Sequence, residues 1–264
     1  MNKKSLRGFK VLGALALILI AVGAFITRQQ LVALPAEAIG VLDKTDPSGV
    51  RYWSALGSGG KDANIGVRYD YESRAGVEAY IAWNKSEAVR LLNAGTRTFW
   101  VIVNFNGPQP RAAFEQFVKD YDMTVINYAM RAGEPPTPLM PEGNRVTATG
   151  GPDNGILISD DLFNRMYSSV VDERGATFKG WITVRGRVDR EGFQKLQSDP
   201  RVAVVEVFET LGRQAFLDNR DKLTAADPRL LQAVDADEPY LRIQLDGPPL
   251  YWKPEDFGLV PKDY

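Results

Sequence analysis

Two stretches of this chain repeat one pattern, and that pattern restricts the fold more than any other feature. Shifting the sequence against itself by 79 residues places Gly107 on Gly186, Phe114 on Phe193 and Phe117 on Leu196. The same shift places Met123 and Val125 on Val202 and Val204, and Val103 and Phe105 on Ile182 and Val184. Each copy reads as strand, glycine turn, short amphipathic helix, strand. In the first copy "TFWVIVNF" (98–105) is the continuous apolar run of a central buried strand. "PRAAFEQFVKDY" (110–121) then sets Ala113, Phe114, Phe117 and Val118 on one helical face, with Pro110 suited to the first turn. "MTVINYAM" (123–130) is the return strand. The second copy is "FKGWITVRGRVDREGFQKLQSDPRVAVVEVFE" (178–209).

Two βαβ units with helices of about ten residues pair into one four-stranded sheet with both helices on one face, the ferredoxin-like arrangement. The expected fold class is therefore α+β, a ferredoxin-like βαβ-βαβ sandwich over about 98–130 and 177–209. The pattern also fits convergence of two unrelated units, or two separate small α/β domains at 77–130 and 155–210. Residues 131–176 become a long insertion. Four prolines in 135–141 forbid regular structure there, and 155–175 reads as a short strand followed by a helix. "VEAYIAW" (77–83) reads as a strand that can join a sheet edge. "NKSEAVRLLNAG" (84–95) reads as a short helix capped by Asn84 or Ser86 and stopped by Gly95. A further helix is expected over 210–223 and a half-buried strand over 240–246.

The first thirty residues bear on location. Lys3, Lys4, Arg7 and Lys10 precede an uncharged run from Val11 to Thr27. As a helix that run spans about 25 Å, the short end of a membrane crossing. The expectation is a basic cytoplasmic segment (1–10) and a transmembrane signal-anchor (11–27). Val22-Gly23-Ala24 also offers a cleavage site for a signal peptide. The excess of cations before the run places the N-terminus in the cytoplasm and the rest outside it. Residues 28–65, with "DKTDPSG" and "GSGG", read as a stalk or linker. An extracytoplasmic α+β domain follows over 66–230, then a C-terminal strand and extended aromatic, proline-rich tail over 231–264.

Composition removes whole classes of chemistry. The chain has no cysteine and no histidine, which excludes thiol nucleophiles, disulfides, imidazole bases and the metal sites built on either residue. Lys plus Arg (32) balances Asp plus Glu (33), so no basic field favours nucleic acid. "GSGGKD" (57–62) lacks the Ser or Thr and the upstream glycine of a phosphate loop. The acidic clusters Asp160–Asp161, Asp189/Glu191 and Asp235-Asp237-Glu238 lack calcium-loop spacing. Asp160 and Asp161 suit a helix start, and Asp189 suits a helix cap. No catalytic residue, metal site or cofactor is expected.

The second copy also resembles a known family. "FKGW" (178–181) and "LQSDPRVAVVE" (196–206) are similar to the subtilisin propeptide family of peptidase inhibitor domains. That family shows a Phe-x-Gly-aromatic strand, matched by Phe178, Gly180 and Trp181. Its closing Leu-x-x-x-Pro-x-Val-x-x-Val-Glu is matched by Leu196, Pro200, Val202, Val205 and Glu206. The resemblance covers about 30 residues and implies a ferredoxin-like fold. Propeptides of that family end soon after this strand with a tail in the protease cleft. Here more than fifty residues follow.

Candidate interaction residues remain. Arg185 and Arg187 flank Gly186 in what reads as a strand-to-helix turn and can meet an anion or stay solvated. Tyr251, Trp252 and Phe257 lie in the tail "GPPLYWKPEDFGLVPKDY", whose prolines exclude a helix and whose aromatics suit packing on the domain itself or docking on a partner. Trp83, Trp100 and Trp181 are expected in the core. The functional expectation is a membrane-anchored, extracytoplasmic, non-catalytic binding, scaffold or accessory module with a protein partner in the membrane or envelope. The alternatives are an inhibitor or folding assistant of an extracytoplasmic serine protease, and a carboxylate-based hydrolase of envelope glycans.

Overall fold

The computed structural model describes residues 39–57, 62–135, 137, 144–153, 155–168, 175–236, 241–246, 250 and 253–260. The expected cytoplasmic segment 1–10 and anchor 11–27 lie outside the described residues. Among the described residues no helix is long and apolar enough to cross a membrane. From Ala38 onward the chain is one compact α+β unit built on two sheets.

Residues 39–68 correct the stalk expectation. They form β1 (Ile39–Thr45), β2 (Arg51–Leu56) and β3 (Ala63–Arg68), an antiparallel meander. "DPSG" is the turn between β1 and β2. The Asp46 carboxylate accepts the Ser48 N–H at 2.9 Å, and Gly49 takes φ +87°, where a side chain would be strained. Nearly every residue of β2 and β3 is buried. Strands covered on both faces need not alternate apolar with polar residues, and β2 does not, while the alternation of β3 runs for only six residues beside the glycine-rich "GSGG". β9 (Leu241–Asp246), expected as a strand, joins β3 in parallel and completes the order β1-β2-β3-β9.

The second sheet contains β4 (Thr98–Gln109), β5 (Thr124–Glu134), β6 (Asn144–Gly150), β7 (Thr177–Asp189) and β8 (Val202–Glu206). Its order is β6-β5-β7-β4-β8, with every pair antiparallel. Counted within the two repeated units, β8, β4, β7 and β5 are the fourth, first, third and second strands. Both units therefore share one sheet, and the alternative of two separate small α/β domains is overturned. β6, from the proline-rich insertion, extends the sheet beyond β5. The short strand expected near 155 is a single bridge, Asp153 with Ile156.

The helices are α1 (Arg74–Asn93), α2 (Arg111–Asp120), α3 (Asp160–Tyr167), α4 (Arg190–Leu196), α5 (Phe208–Asp218), α6 (Arg220–Ala226), α7 (Pro228–Ala236) and α8 (Lys253–Asp256). α2 and α4 are the helices of the two repeats. The equivalent pairs Phe114/Phe193 and Phe117/Leu196 are all fully buried. Phe193 stacks on Phe99 with ring centroids 3.8 Å apart, and Phe114 stacks on Trp181 at 5.4 Å. Each such side chain contributes roughly 1.5–3 kcal/mol by leaving water. Gly180, in the "FKGW" stretch, takes φ +131° and lies so close to Gln109 that a Cβ would sit 2.3 Å from its carbonyl oxygen.

On the other face of the second sheet lies α5. Its Thr210 hydroxyl donates to Trp100 O at 2.7 Å and accepts from Trp100 N at 2.9 Å. Its Gly212 presses on Ile65 of β3, where a Cβ would come within 2.5 Å of the side chain. α5 thus sits between the two sheets. The single helix expected over 210–223 is two, α5 and α6, because the backbone leaves helical geometry at Asn219.

α1 is the second correction. Residues 77–83 are the middle of a 20-residue helix, not a strand. Its buried residues are Val77, Tyr80, Trp83, Asn84, Ala88 and Leu91, a helical spacing. The true cap is Ser73, whose hydroxyl accepts from Gly76 N at 3.0 Å. Gly95 ends the helix at φ +81°, as expected.

Candidate functional site

The residues singled out in the sequence do not converge. Arg185 and Arg187 lie inside β7, which runs on to Asp189, so no strand-to-helix turn exists at Gly186. Arg185 grips Glu209 of α5 with Nε at 2.8 Å and Nη2 at 2.9 Å. Arg213, one turn along α5, holds the same carboxylate at 2.9 and 2.7 Å and lies 3.5 Å over the Trp100 ring. Burial pushes the Glu209 carboxyl up, but the two guanidiniums outweigh it and hold it below the usual range. The Arg187 guanidinium lies 5.4 Å from the centroid of the same ring. This cluster fixes α5 to the sheet; it is not an open anion site. Trp83, Trp100 and Trp181 are buried, as expected of core residues.

Asp189 caps α4 by accepting Gly192 N at 2.7 Å, and Asp160 begins α3 while pairing with Arg111 at 2.7 Å. Glu191 pairs with Lys195 at 2.8 Å. The side chains of the Asp235-Asp237-Glu238 cluster lie outside the described residues, as do Tyr251 and Trp252. Phe257 is half-buried and packs against the core. Around it the tail departs from a purely extended path, since α8 makes one turn. Pro254 is tolerated there because a first-turn N–H needs no intrahelical partner. α8 is clamped to the second sheet: Arg131 of β5, fully buried, pairs with Glu255, and Arg145 of β6 reaches Glu255 at 3.4 Å.

That clamp builds a groove. The segment 253–260 lies opposite α1, and between them opens a cavity of about 370 Å³. Ile81 and Ala82 of α1 form one apolar wall, and Pro254, Leu259 and Val260 form the other. Ala203 and Val204 of β8 supply apolar floor, Asn106 closes one end, and Glu78 and Lys85 mark the α1 rim. Glu78 is engaged by Arg74 at 2.8 Å. The sequence pointed to Val204 as a repeat position and to the tail that holds Leu259, but to no residue of α1 as part of a site. The signal that could have found those of α1 is Ser73 with Asp70 before it, a helix start that turns 78–85 into a face and not a strand.

Next to the groove residues in sequence lies a buried polar cluster. Glu206, at the end of β8, is wholly buried and accepts Tyr80 Oη and Asn104 Nδ2, each at 2.7 Å. Asn84 of α1 accepts Val207 N at 3.0 Å and donates to Tyr80 O at 3.0 Å. Tyr69 stacks on Tyr80 at 4.0 Å. Among the described residues, Tyr69 Oη and Asn104 Oδ1 have no hydrogen-bond partner. Burial pushes the Glu206 carboxyl up to about 7, against the pull of its two hydrogen bonds. The cluster ties α1, β4 and β8 together and so sets the width of the groove. Among the described residues no group of three or more acidic side chains is placed to hold a metal ion.

No protein-family model, curated protein or solved structure matches this chain.

Proposed function

We propose that the chain is a membrane-anchored, extracytoplasmic accessory module that binds a protein partner and performs no catalysis itself. The observation that carries this reading is the groove: an apolar channel between α1, β8 and the segment 253–260, walled on both sides. A concave apolar surface on a rigid frame is the usual form of a binding site. Here the frame is rigid for a stated reason, because buried hydrogen bonds and ion pairs pin both walls to one sheet. The basic cluster Lys3, Lys4, Arg7, Lys10 before the apolar run 11–27 supports the anchor and its orientation. The strand order β8-β4-β7-β5 supports a ferredoxin-like core carrying an added sheet.

The protease-inhibitor reading receives less support. It shares the ferredoxin-like order, but after Glu206 the chain passes within two residues into α5, which is buried between the sheets. No free tail leaves β8 to enter a protease cleft. Affinity purification of the full-length protein from its native membrane in mild detergent, with mass spectrometry, tests the proposal. A stoichiometric protein partner is the expected result. Recovery of the chain alone refutes it.

A further inference from the structure

Three elements meet at the Glu206 carboxyl, and the same three line the groove. Tyr80 of α1 is followed by Ile81 and Ala82, which form one wall. Asn104 of β4 lies two residues from Asn106, which closes one end. Glu206 itself lies two residues from Val204 of the floor. A change at the carboxyl therefore reaches the wall, the end and the floor together.

The carboxyl stands where a charge is unwelcome. Both of its donors, Tyr80 from α1 and Asn104 from β4, are neutral. Tyr69, from the stretch after β3, stacks on Tyr80. Burial first, and the Glu206 charge after it, push both phenols up, so neither ionises near neutrality. The charges that open α5 are engaged with one another, since Glu209 pairs with Arg185 and Arg213. Glu78 and Lys85 belong to the outer rim of α1. A buried carboxylate without a cation is unfavourable, and taking up a proton relieves it. The cluster can accommodate that proton. A neutral carboxyl donates as well as accepts, and Tyr80 Oη stands at 2.7 Å. Asn104 Oδ1, which has no hydrogen-bond partner among the described residues, becomes a second acceptor once its amide turns over. Burial pushes Glu206 up to about 7, and in a chain without histidine no imidazole titrates beside it.

Resting on the groove as the binding site, we infer that a proton on Glu206 holds the groove in its binding shape and that ionisation of Glu206 loosens α1 from β8. α1 is the element that yields. β8 is hydrogen-bonded to β4 along the sheet, whereas α1 is tied to this end of the strand by side chains, Tyr80 to Glu206 and Asn84 to Val207 N. An ionised Glu206 draws water between helix and strand, and Ile81 and Ala82 move off the floor. The partner binds the proton-bound form. Affinity is therefore whole below about pH 7 and falls as pH rises, by at most about ten-fold per pH unit for one proton.

The chain has no cysteine, so Lys85→Cys gives the full-length protein in mild detergent a single labelling site at the groove rim. An environment-sensitive fluorophore attached there is followed from pH 5 to pH 9. Retention of the co-purifying partner by the unlabelled protein is compared at pH 6 and pH 8. The emission should shift with a one-proton midpoint near 7, and Glu206→Gln, which cannot ionise, should abolish the shift. Partner retention should be about ten-fold weaker at pH 8 than at pH 6, and equal at both in Glu206→Gln. If Glu206→Gln does not fold, Tyr80→Phe decides: it removes a donor from the carboxylate and should raise the midpoint. Emission that is flat with pH overturns the inference, as does a shift that persists in Glu206→Gln or a partner held alike at both pH values. So does a midpoint unmoved by Tyr80→Phe where that variant decides. Recovery of the chain alone at both pH values refutes the binding-module reading instead, and the fluorophore still decides whether the proton shapes the groove.

Discussion

Glu206→Gln separates the stability of this protein from pH. The carboxyl of Glu206 is wholly buried, accepts two hydrogen bonds and is contacted by no cation among the described residues. Burial raises it from 4.5 to about 7 in the folded state. Because the folded pKa lies above the unfolded one, the folded state binds the proton more tightly. Its contribution is whole below about pH 4.5 and is lost as pH rises through about 7. A rise of that size, at about 1.36 kcal/mol per unit, makes about 3 kcal/mol of stability lost from this group between pH 4.5 and 8. Gln cannot ionise. Its carbonyl can still accept from Tyr80, and Asn104 can turn its unpartnered Oδ1 toward the new amide. Urea unfolding followed by tryptophan fluorescence at pH 5 and pH 8 reads the effect. The wild type should lose stability over this interval, and the variant should lose about 2–3 kcal/mol less. At pH 8 the variant should then be the more stable of the two. An identical pH slope in both proteins would refute the idea that Glu206 holds a proton in the folded state.

Other perturbations test the frame around the groove. Phe193→Ala removes the ring stacked on Phe99 and should cost about 3–5 kcal/mol in urea unfolding. Arg213→Met leaves Glu209 buried with one guanidinium and should cost about 3 kcal/mol, more than the same change at the surface pair Arg74–Glu78. Gly212→Val drives a branched side chain into Ile65 and should lower stability by about 1–3 kcal/mol, with loss of near-UV circular dichroism if α5 is displaced from between the sheets. Asp189→Ala removes the cap of α4 and should cost about 1 kcal/mol.

What could be read in the sequence divides by the kind of signal each segment carries. The repeated units were legible because Phe114, Phe117, Phe193 and Leu196 recur at helical spacing between apolar strands. Periodicity reports burial, and these four side chains are buried against one sheet. Asp189 and Gly95 were legible because a cap and a left-handed stop rest on short-range chemistry, whereas Asn84 carries the same cap signal but lies inside α1 with its side chain on Val207 N. The meander β1–β3 was not legible. Its strands are covered on both faces: "RYWSAL" shows no alternation, and "ANIGVR", which alternates Ala63, Ile65 and Val67 with Asn64, Gly66 and Arg68, is short and follows turn residues that read as linker. α1 was misread because Tyr80, Ile81, Trp83 and their neighbours make a short apolar run, and a short run does not separate strand from helix.

That misreading concealed the groove as well as the helix. As a strand, residues 77–83 would have sent alternate side chains to opposite faces of a sheet. As a helix, they divide their work along one surface. Tyr80 and Asn84 turn inward to bind Glu206 and Val207, while Glu78, Ile81, Ala82 and Lys85 turn toward the channel. The buried residues of α1 therefore set the height of its exposed ones above β8. Tyr80 anchors the wall through its hydroxyl and not merely through ring packing. Tyr80→Phe should keep the ring stacked on Tyr69 yet leave Glu206 with one donor fewer, raising its pKa further and steepening the fall of stability toward pH 8. The same unfolding measurement at pH 5 and pH 8 checks this. A Tyr80→Phe variant with a shallower slope than the wild type would mean that the hydroxyl does not stabilise the Glu206 carboxylate, and that α1 is held over the strand by apolar packing alone.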